Sequence, residues 1–349
     1  MSTERPGAID VGPLLEHTAT RLGRRRVGVV VGHLAPDGTS TVRSTGRTSL
    51  PDGATPDART RFEIGSITKT FTGLSLARAV TAGRLDLDTP VGELVDEVAG
   101  LGRGGVEVTL RHLATHTSGL PRVHVPVLRG TLDAYRGLDP YRRHSEDALL
   151  AAIRTGRLRR PPGTGRPAYS NSGFGLLGIA LTRHEGLTFG ELVARDATGP
   201  LGLADTGTTD RATPEQVART AVGHHRRHTP AAPWNLDALP GAGALHSTAT
   251  DLLDWGRAHL DPPPGDLGGA VRTAVAEQGP RIGLAWQRTV TEADRRRGRD
   301  LVIWHSGGTG GFRSALCLHP GTGHAVVVLA NHGRSVALAA FRLLAALDR

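Results

Sequence analysis

Of the 42 lysines and arginines in this 349-residue chain, only one is a lysine. It is Lys69, three positions after a serine in Phe62-Glu63-Ile64-Gly65-Ser66-Ile67-Thr68-Lys69-Thr70. A chain that uses arginine at every other basic position keeps lysine where arginine would fail. Arginine holds its proton at any ordinary pH, whereas a desolvated lysine becomes a neutral base. Residues three apart on a helix share a face, one turn from each other. A helix starting at Ser66 therefore sets a hydroxyl beside an amine that can take its proton, the chemistry of an activated nucleophile. The helix N-terminus adds free N–H groups and a positive dipole end, which favour a developing oxyanion and a neutral amine. An isolated Ser-x-x-Lys also occurs on helix surfaces with no chemical task; the uniqueness of Lys69 sets this one apart.

Tyrosine is nearly as scarce, at Tyr135, Tyr141 and Tyr169. Tyr169 belongs to the polar turn Pro167-Ala168-Tyr169-Ser170-Asn171-Ser172-Gly173, ahead of the apolar stretch Phe174 to Leu181. Ser170 or Asn171 could cap that helix. In a functional reading the Tyr169 hydroxyl faces the serine, and the Asn171 amide holds a substrate carbonyl or the lysine. Further on, Leu301-Val302-Ile303-Trp304 reads as a buried strand running into His305-Ser306-Gly307-Gly308-Thr309-Gly310-Gly311-Phe312. Small residues there would let a substrate backbone lie along the strand edge. The Gly308 N–H could then share an oxyanion with that of Ser66. Read alone, the glycine run is a hairpin turn.

Taken together, Ser66-Ile67-Thr68-Lys69, Tyr169-Ser170-Asn171 and His305-Ser306-Gly307 resemble the penicillin-binding-protein and class C β-lactamase superfamily, whose hallmarks are S-x-x-K, Y-x-N and K/H-x-G in that order. Leu113-Ala114-Thr115-His116-Thr117-Ser118-Gly119-Leu120-Pro121 and Gly243-Ala244-Leu245-His246-Ser247-Thr248 also look like that family, and the resemblance runs from about Arg61 to Asn331. It implies a serine hydrolase working through an acyl-enzyme on an ester or amide: an esterase, a D-amino-acid peptidase or a weak β-lactamase. Ser66 would attack, Lys69 and Tyr169 would move the protons, and Asn171, His305, Gly307, Gly308 and Arg313 would bind substrate. The third motif begins with histidine, not lysine. An imidazole titrating at about 6.5 is mostly neutral at cytoplasmic pH, which weakens attraction for a substrate carboxylate and favours the esterase and peptidase readings. Arg313 could supply that charge instead. The alternatives are a transacylase passing the acyl group to an amine or alcohol, and an inactive binding module on the same fold.

The elements that must position these residues read as an α/β (α+β) fold. An antiparallel sheet is flanked by N- and C-terminal helices and interrupted by a mainly helical region, as in the β-lactamase/transpeptidase-like fold. A helix over Val11–Leu22 precedes strands Val27–Leu34 and Ser40–Arg47. Helices follow at Glu146–Arg154 and Thr250–Ala258, then strands at Ile282–Arg288, Leu301–Trp304, Arg313–Leu318 and Ala325–Ala330, and a helix from Ser335. Residues 1–65 with 280–349 are expected to form the sheet part. Residues 66–279 would form the helical part, carrying the Ser66 helix and the Tyr169 loop, with the site in the cleft between them.

Composition excludes other classes. The net charge is +9, yet aromatics are only 4% and the arginines, such as Arg24–Arg26 and Arg295–Arg297, are scattered, so nucleic-acid binding is not expected. No apolar run is long enough to span a bilayer, and the N-terminus reads as neither leader nor anchor, which points to the cytoplasm and away from membranes. The single cysteine, Cys317, reads as a buried structural thiol. His224, His225 and His228 lie beside Arg226 and Arg227, which would repel a cation, so they read as a solvated loop without metal. His116 reads as a structural hydrogen-bonding residue. No cofactor is called for; the expected partner is a small-molecule ester, amide or peptide.

Overall fold

The valine-rich segments near both ends of the chain pair into one sheet. The structure, a computed structural model, describes residues 10–123, 138–141, 145–225, 228–234, 236–290 and 301–347. The sheet comprises β1 (Gly28–Leu34), β2 (Ser40–Gly46), β3 (Gln287–Thr289), β4 (Val302–Gly308), β5 (Arg313–His319) and β6 (His324–Ala330). Their order is β2-β1-β6-β5-β4-β3, with every neighbouring pair antiparallel. The longer helices are α1 (Gly12–Gly23), α2 (Thr68–Thr81), α3 (Glu146–Thr155), α4 (Asn171–Glu185), α5 (Ala249–Leu260), α6 (Gly265–Val275) and α7 (Ala337–Leu347). This is the mixed architecture expected from the sequence.

Strands β1, β5 and β6 are buried on both faces, which is why they read as unbroken apolar runs. The period of two survives in which core each residue joins. Val29, Val31, Ala315, Cys317, Val326 and Val328 pack beneath α1 and α7. Val30, Leu316, Leu318, Ala325 and Val327 face the opposite way, into the larger core shared with the helical region. Helix α5 lies directly on that second face, with Leu253 over Gly32 and Gly256 over Leu318. The Cys317 thiol is buried, and burial pushes its pKa well above the ordinary thiol range.

Two expectations change. The strand expected over Ile282–Arg288 begins only at Gln287. Ahead of it the backbone turns back on itself: Arg281 and Ala285 take positive φ of 61° and 73°. The N–H groups of Leu284 and Ala285 go to the carbonyls of Ala274 and Ala114, at the ends of two helices, in place of a sheet ladder. Conversely, β4 does not stop at Trp304 but continues through His305 to Gly308. Tyr135 and Arg295–Arg297 lie outside the described residues. Among the described residues no helix is long and apolar enough to cross a membrane.

Candidate active site

Ser66 sits in the tight turn Gly65–Ile67 that opens α2. The turn needs glycine at 65: its φ is +51°, and a β-carbon there would lie 2.6 Å from the Gly308 nitrogen. The same approach sets the end of β4 against the serine. Ser314 on β5 locks the turn by donating to the Ile64 carbonyl at 2.7 Å. Helix α2 is buried on nearly all sides, and its polar residues bond inward. Thr72 donates to the Gly241 carbonyl (2.8 Å), and Thr68 accepts from the Leu245 N–H (3.1 Å), fixing the 241–245 segment along the helix.

Lys69 is fully buried. Its Nζ lies 3.2 Å from Ser66 Oγ, 2.9 Å from Asn171 Oδ1 and 2.6 Å from the Ala242 carbonyl. Burial, reinforced by the Arg122 charge, holds the Lys69 pKa well below that of a free amine. The amine is thus available as an acceptor next to a hydroxyl. The Tyr169 hydroxyl is directed at the same Ser66 side chain, and burial pushes its pKa up to about 12. A proton acceptor and a proton donor therefore share one hydroxyl.

The loop that presents Tyr169 is threaded between residues 116 and 122. Ala168 N–H donates to the His116 carbonyl (2.8 Å), Ser170 N–H to His116 Nδ1 (3.2 Å), and Asn171 N–H to the Arg122 carbonyl (2.8 Å). The His116 ring packs against Tyr169, their centroids 4.4 Å apart. Ser170 is the cap of α4, accepting from Gly173 N–H at 2.9 Å. That leaves the Asn171 amide for Lys69 on its oxygen and, through Nδ2, for the Tyr141 hydroxyl at 3.4 Å. His305 is buried, and burial and the neighbouring Lys69 push its pKa down to about 3, so the imidazole is neutral. Its Nδ1 meets the Ser306 carbonyl at 2.9 Å.

Strand β3 pairs with β4 only as far as Trp304, so His305–Gly308 keeps one edge open toward a cavity of about 1620 Å³. A β-carbon at Gly307 would stand 1.9 Å from the Ile64 carbonyl oxygen. Only glycine lets the strand pass this close. Ser66, Tyr169, Asn171, His305, Gly307, Gly308 and Arg313 all line the cavity. A model of the Beta-lactamase family matches residues 14–348. The chain belongs to the Beta-lactamase family. With it comes membership of the serine hydrolases.

Among the relatives of this Beta-lactamase family member is a D-alanyl-D-alanine-carboxypeptidase/endopeptidase AmpH of Escherichia coli (strain K12), 28% identical over 80% of this chain and 72% of its own length. A β-lactamase of Lysobacter lactamgenus is 30% identical over 67% of this chain and 56% of its own length. In fold, a class C β-lactamase from Rhodobacter sphaeroides superposes with a TM-score of 0.79 at 24% identity, covering 97% of this chain and 100% of that one.

Several residues of the site carried no signal in the sequence. Arg122 sets an exposed guanidinium over the Tyr169 ring, 5.2 Å from its centroid. Trp234 packs edge-on to Tyr141, with ring centroids 5.2 Å apart. The Ala242 carbonyl was unreadable because its role is purely backbone. Arg313, offered as a carboxylate partner, turns its Nη1 onto the carbonyls of Thr309 and Phe312, at 2.5 and 2.6 Å. The histidine stretch also differs from the solvated loop expected. His224 is buried, its N–H held by the Gly311 and Asn331 carbonyls, and His225 lines the cavity. Arg226 and Arg227 lie outside the described residues. Among the described residues no group of three His, Cys, Asp or Glu side chains could hold a metal.

Proposed function

We propose that this chain hydrolyses an ester or amide through an acyl-enzyme on Ser66. The observation that supports this most strongly is the buried Lys69 amine 3.2 Å from Ser66 Oγ. In this reading the neutral amine takes the hydroxyl proton as Oγ attacks the substrate carbonyl carbon. The oxyanion rests on the N–H groups of Ser66 and Gly308, and the substrate backbone lies along the open edge at His305–Gly308. Tyr169, protonated at neutral pH, hands its proton to the leaving group as the carbonyl re-forms and the bond breaks. The Tyr169 oxygen is recharged from Lys69. Water then attacks the acyl-enzyme by the reverse relay and releases the acid.

The charge around the cavity favours a substrate bearing a carboxylate. No aspartate or glutamate is found among its described lining residues. Arg122, exposed beside Tyr169, makes no ion pair among the described residues. A neutral His305 offers a carboxylate no ionic partner, so Arg122 is the group to hold one. This favours turnover of ester or amide substrates that carry a carboxylate within reach of Arg122.

The test is a hydrolysis panel of short p-nitrophenyl esters, with and without a carboxylate, a chromogenic cephalosporin and a D-alanyl anilide. Wild type is compared with Ser66→Ala, Lys69→Arg and Arg122→Ala. At least one substrate should turn over, with Ser66→Ala and Lys69→Arg each losing about a hundredfold or more. Arg122→Ala should lose activity selectively on the carboxylate-bearing members. Variants matching wild type would overturn the assignment. An acyl-enzyme that forms but clears only when an amine or alcohol is added would make the protein a transacylase.

A further inference from the structure

Behind the site lies a buried carboxyl that no step of this relay uses. Glu63, three residues before Ser66, is 6% exposed and pairs across a short two-stranded ladder with His246. It faces the Thr309 side chain and the Trp234 backbone. The Thr309 hydroxyl and the Trp234 N–H approach the Glu63 carboxyl as hydrogen-bond donors, and among the described residues no other side-chain partner is aligned with the buried Glu63 Oε2 or Thr309 Oγ1. Two buried polar groups with no other outlet are costly to part, so the carboxyl and the hydroxyl hold each other in place.

Both groups that Glu63 faces belong to walls of the cavity. Thr309 directly follows Gly308, and its N–H and carbonyl are held by the Phe312 carbonyl and the Arg313 side chain. A β-carbon at Gly310 would lie 2.7 Å from the Trp234 indole nitrogen, so the two walls touch. Trp234 in turn packs on Tyr141, whose hydroxyl meets the Asn171 amide that holds Lys69. One carboxyl thus backs both the oxyanion strand and the support of the base.

We propose that Glu63 is a positioning residue, whose ionised carboxyl draws in the Thr309 hydroxyl and the Trp234 N–H and so seats the Gly308–Gly310 turn against Ser66. Protonation removes one acceptor and loosens that wall. The charged and titratable groups around it are Asp139, whose carboxylate disfavours ionisation, His246, pushed down to about 4 by burial and therefore neutral, and Arg313 on the far side of Thr309. Burial first, with Asp139 adding to it, moves the Glu63 carboxyl up to about 7, so the switch between the two forms falls near neutral pH.

This inference rests on the hydrolase reading, and the experiment keeps the two apart. The pH profiles of kcat and kcat/KM are measured for wild type, Glu63→Gln, Glu63→Asp and Thr309→Val on the best substrate of the panel, with Ser66→Ala as control. Wild type should show a step near pH 7. Glu63→Gln should lack that step and run about tenfold below wild type at pH 8, mainly in kcat, while matching it at pH 6. Glu63→Asp should restore part of the step, and Thr309→Val should reproduce the glutamine profile even if Glu63→Gln does not fold. A step that persists unchanged in Glu63→Gln, or in Thr309→Val, overturns the role of Glu63 while leaving the hydrolase intact. Full turnover by Ser66→Ala would instead overturn the hydrolase reading itself.

Discussion

Replacing Lys69 by methionine should make the protein inactive and change how its stability depends on pH. Burial and the Arg122 charge hold the Lys69 pKa well below that of a free amine in the folded chain, while the unfolded chain keeps its proton up to about pH 10.4. Unfolding therefore takes up a proton, and stability rises with pH between the folded and unfolded pKa values. For one proton the slope is about 1.4 kcal/mol per pH unit. Methionine removes that slope. It also leaves the Ala242 carbonyl and Asn171 Oδ1 without a donor, at about 1–3 kcal/mol each, a loss that does not vary with pH. Urea unfolding of both proteins at pH 8 and pH 9 separates the two effects. Wild type should gain about 1.4 kcal/mol on the variant between the two pH values, a relative midpoint shift of about 0.5 M at an m-value of about 3 kcal/mol/M. The variant should also lose about 10² or more in kcat/KM. Parallel pH dependences would mean that the amine keeps its proton in the fold, and the neutral-base mechanism would fall with it.

Three further outcomes follow from the same geometry. Tyr169→Phe should lower kcat by about 10²–10⁴. Since the hydroxyl titrates at about 12, the wild-type rate should show no alkaline fall below pH 10, which a profile in buffered steps checks. His305→Gln should keep the same inflections between pH 5 and 8 as wild type whatever its absolute rate, because the imidazole, held near 3, is neutral throughout that range. Gly307→Ala should lose about 1–3 kcal/mol to overpacking and most of its activity, since a methyl group 1.9 Å from the Ile64 carbonyl pushes β4 away from the serine. Thermal melts and kcat together report it.

Much of this site was legible because its residues stand in short stretches whose types are scarce elsewhere. Lys69 and Tyr169 stand out by rarity, and the glycines at 307 and 308 by their place at the end of an apolar strand. Local spacing also gave most element boundaries to within two residues. What it did not give were groups that matter only through contacts between distant segments. Arg122 is one arginine among many until the fold sets it over the Tyr169 ring. Tyr141 and Trp234 become part of the site only by meeting each other and Asn171. The segment from Ile282 to Trp286 is apolar enough for a strand, yet the N–H groups of Leu284 and Ala285 are claimed by helix ends that no local pattern announces. Arg313, picked out by its proximity in sequence, does line the cavity, while its Nη1 rests on the carbonyls of Thr309 and Phe312, a contact no local pattern announces.

The solitary lysine also makes the chain its own reporter. An amine-reactive reagent added to the folded protein finds, apart from the α-amino group, a single target, and that target is sealed off at 0% exposure. Modification of Lys69 then proceeds only through transient openings around the start of α2, so its rate, divided by that of a free amine, gives the free energy of opening at the reaction centre. The same clock should slow when an acyl group occupies Ser66, which would allow slow substrates and inhibitors to be ranked without any chromophore.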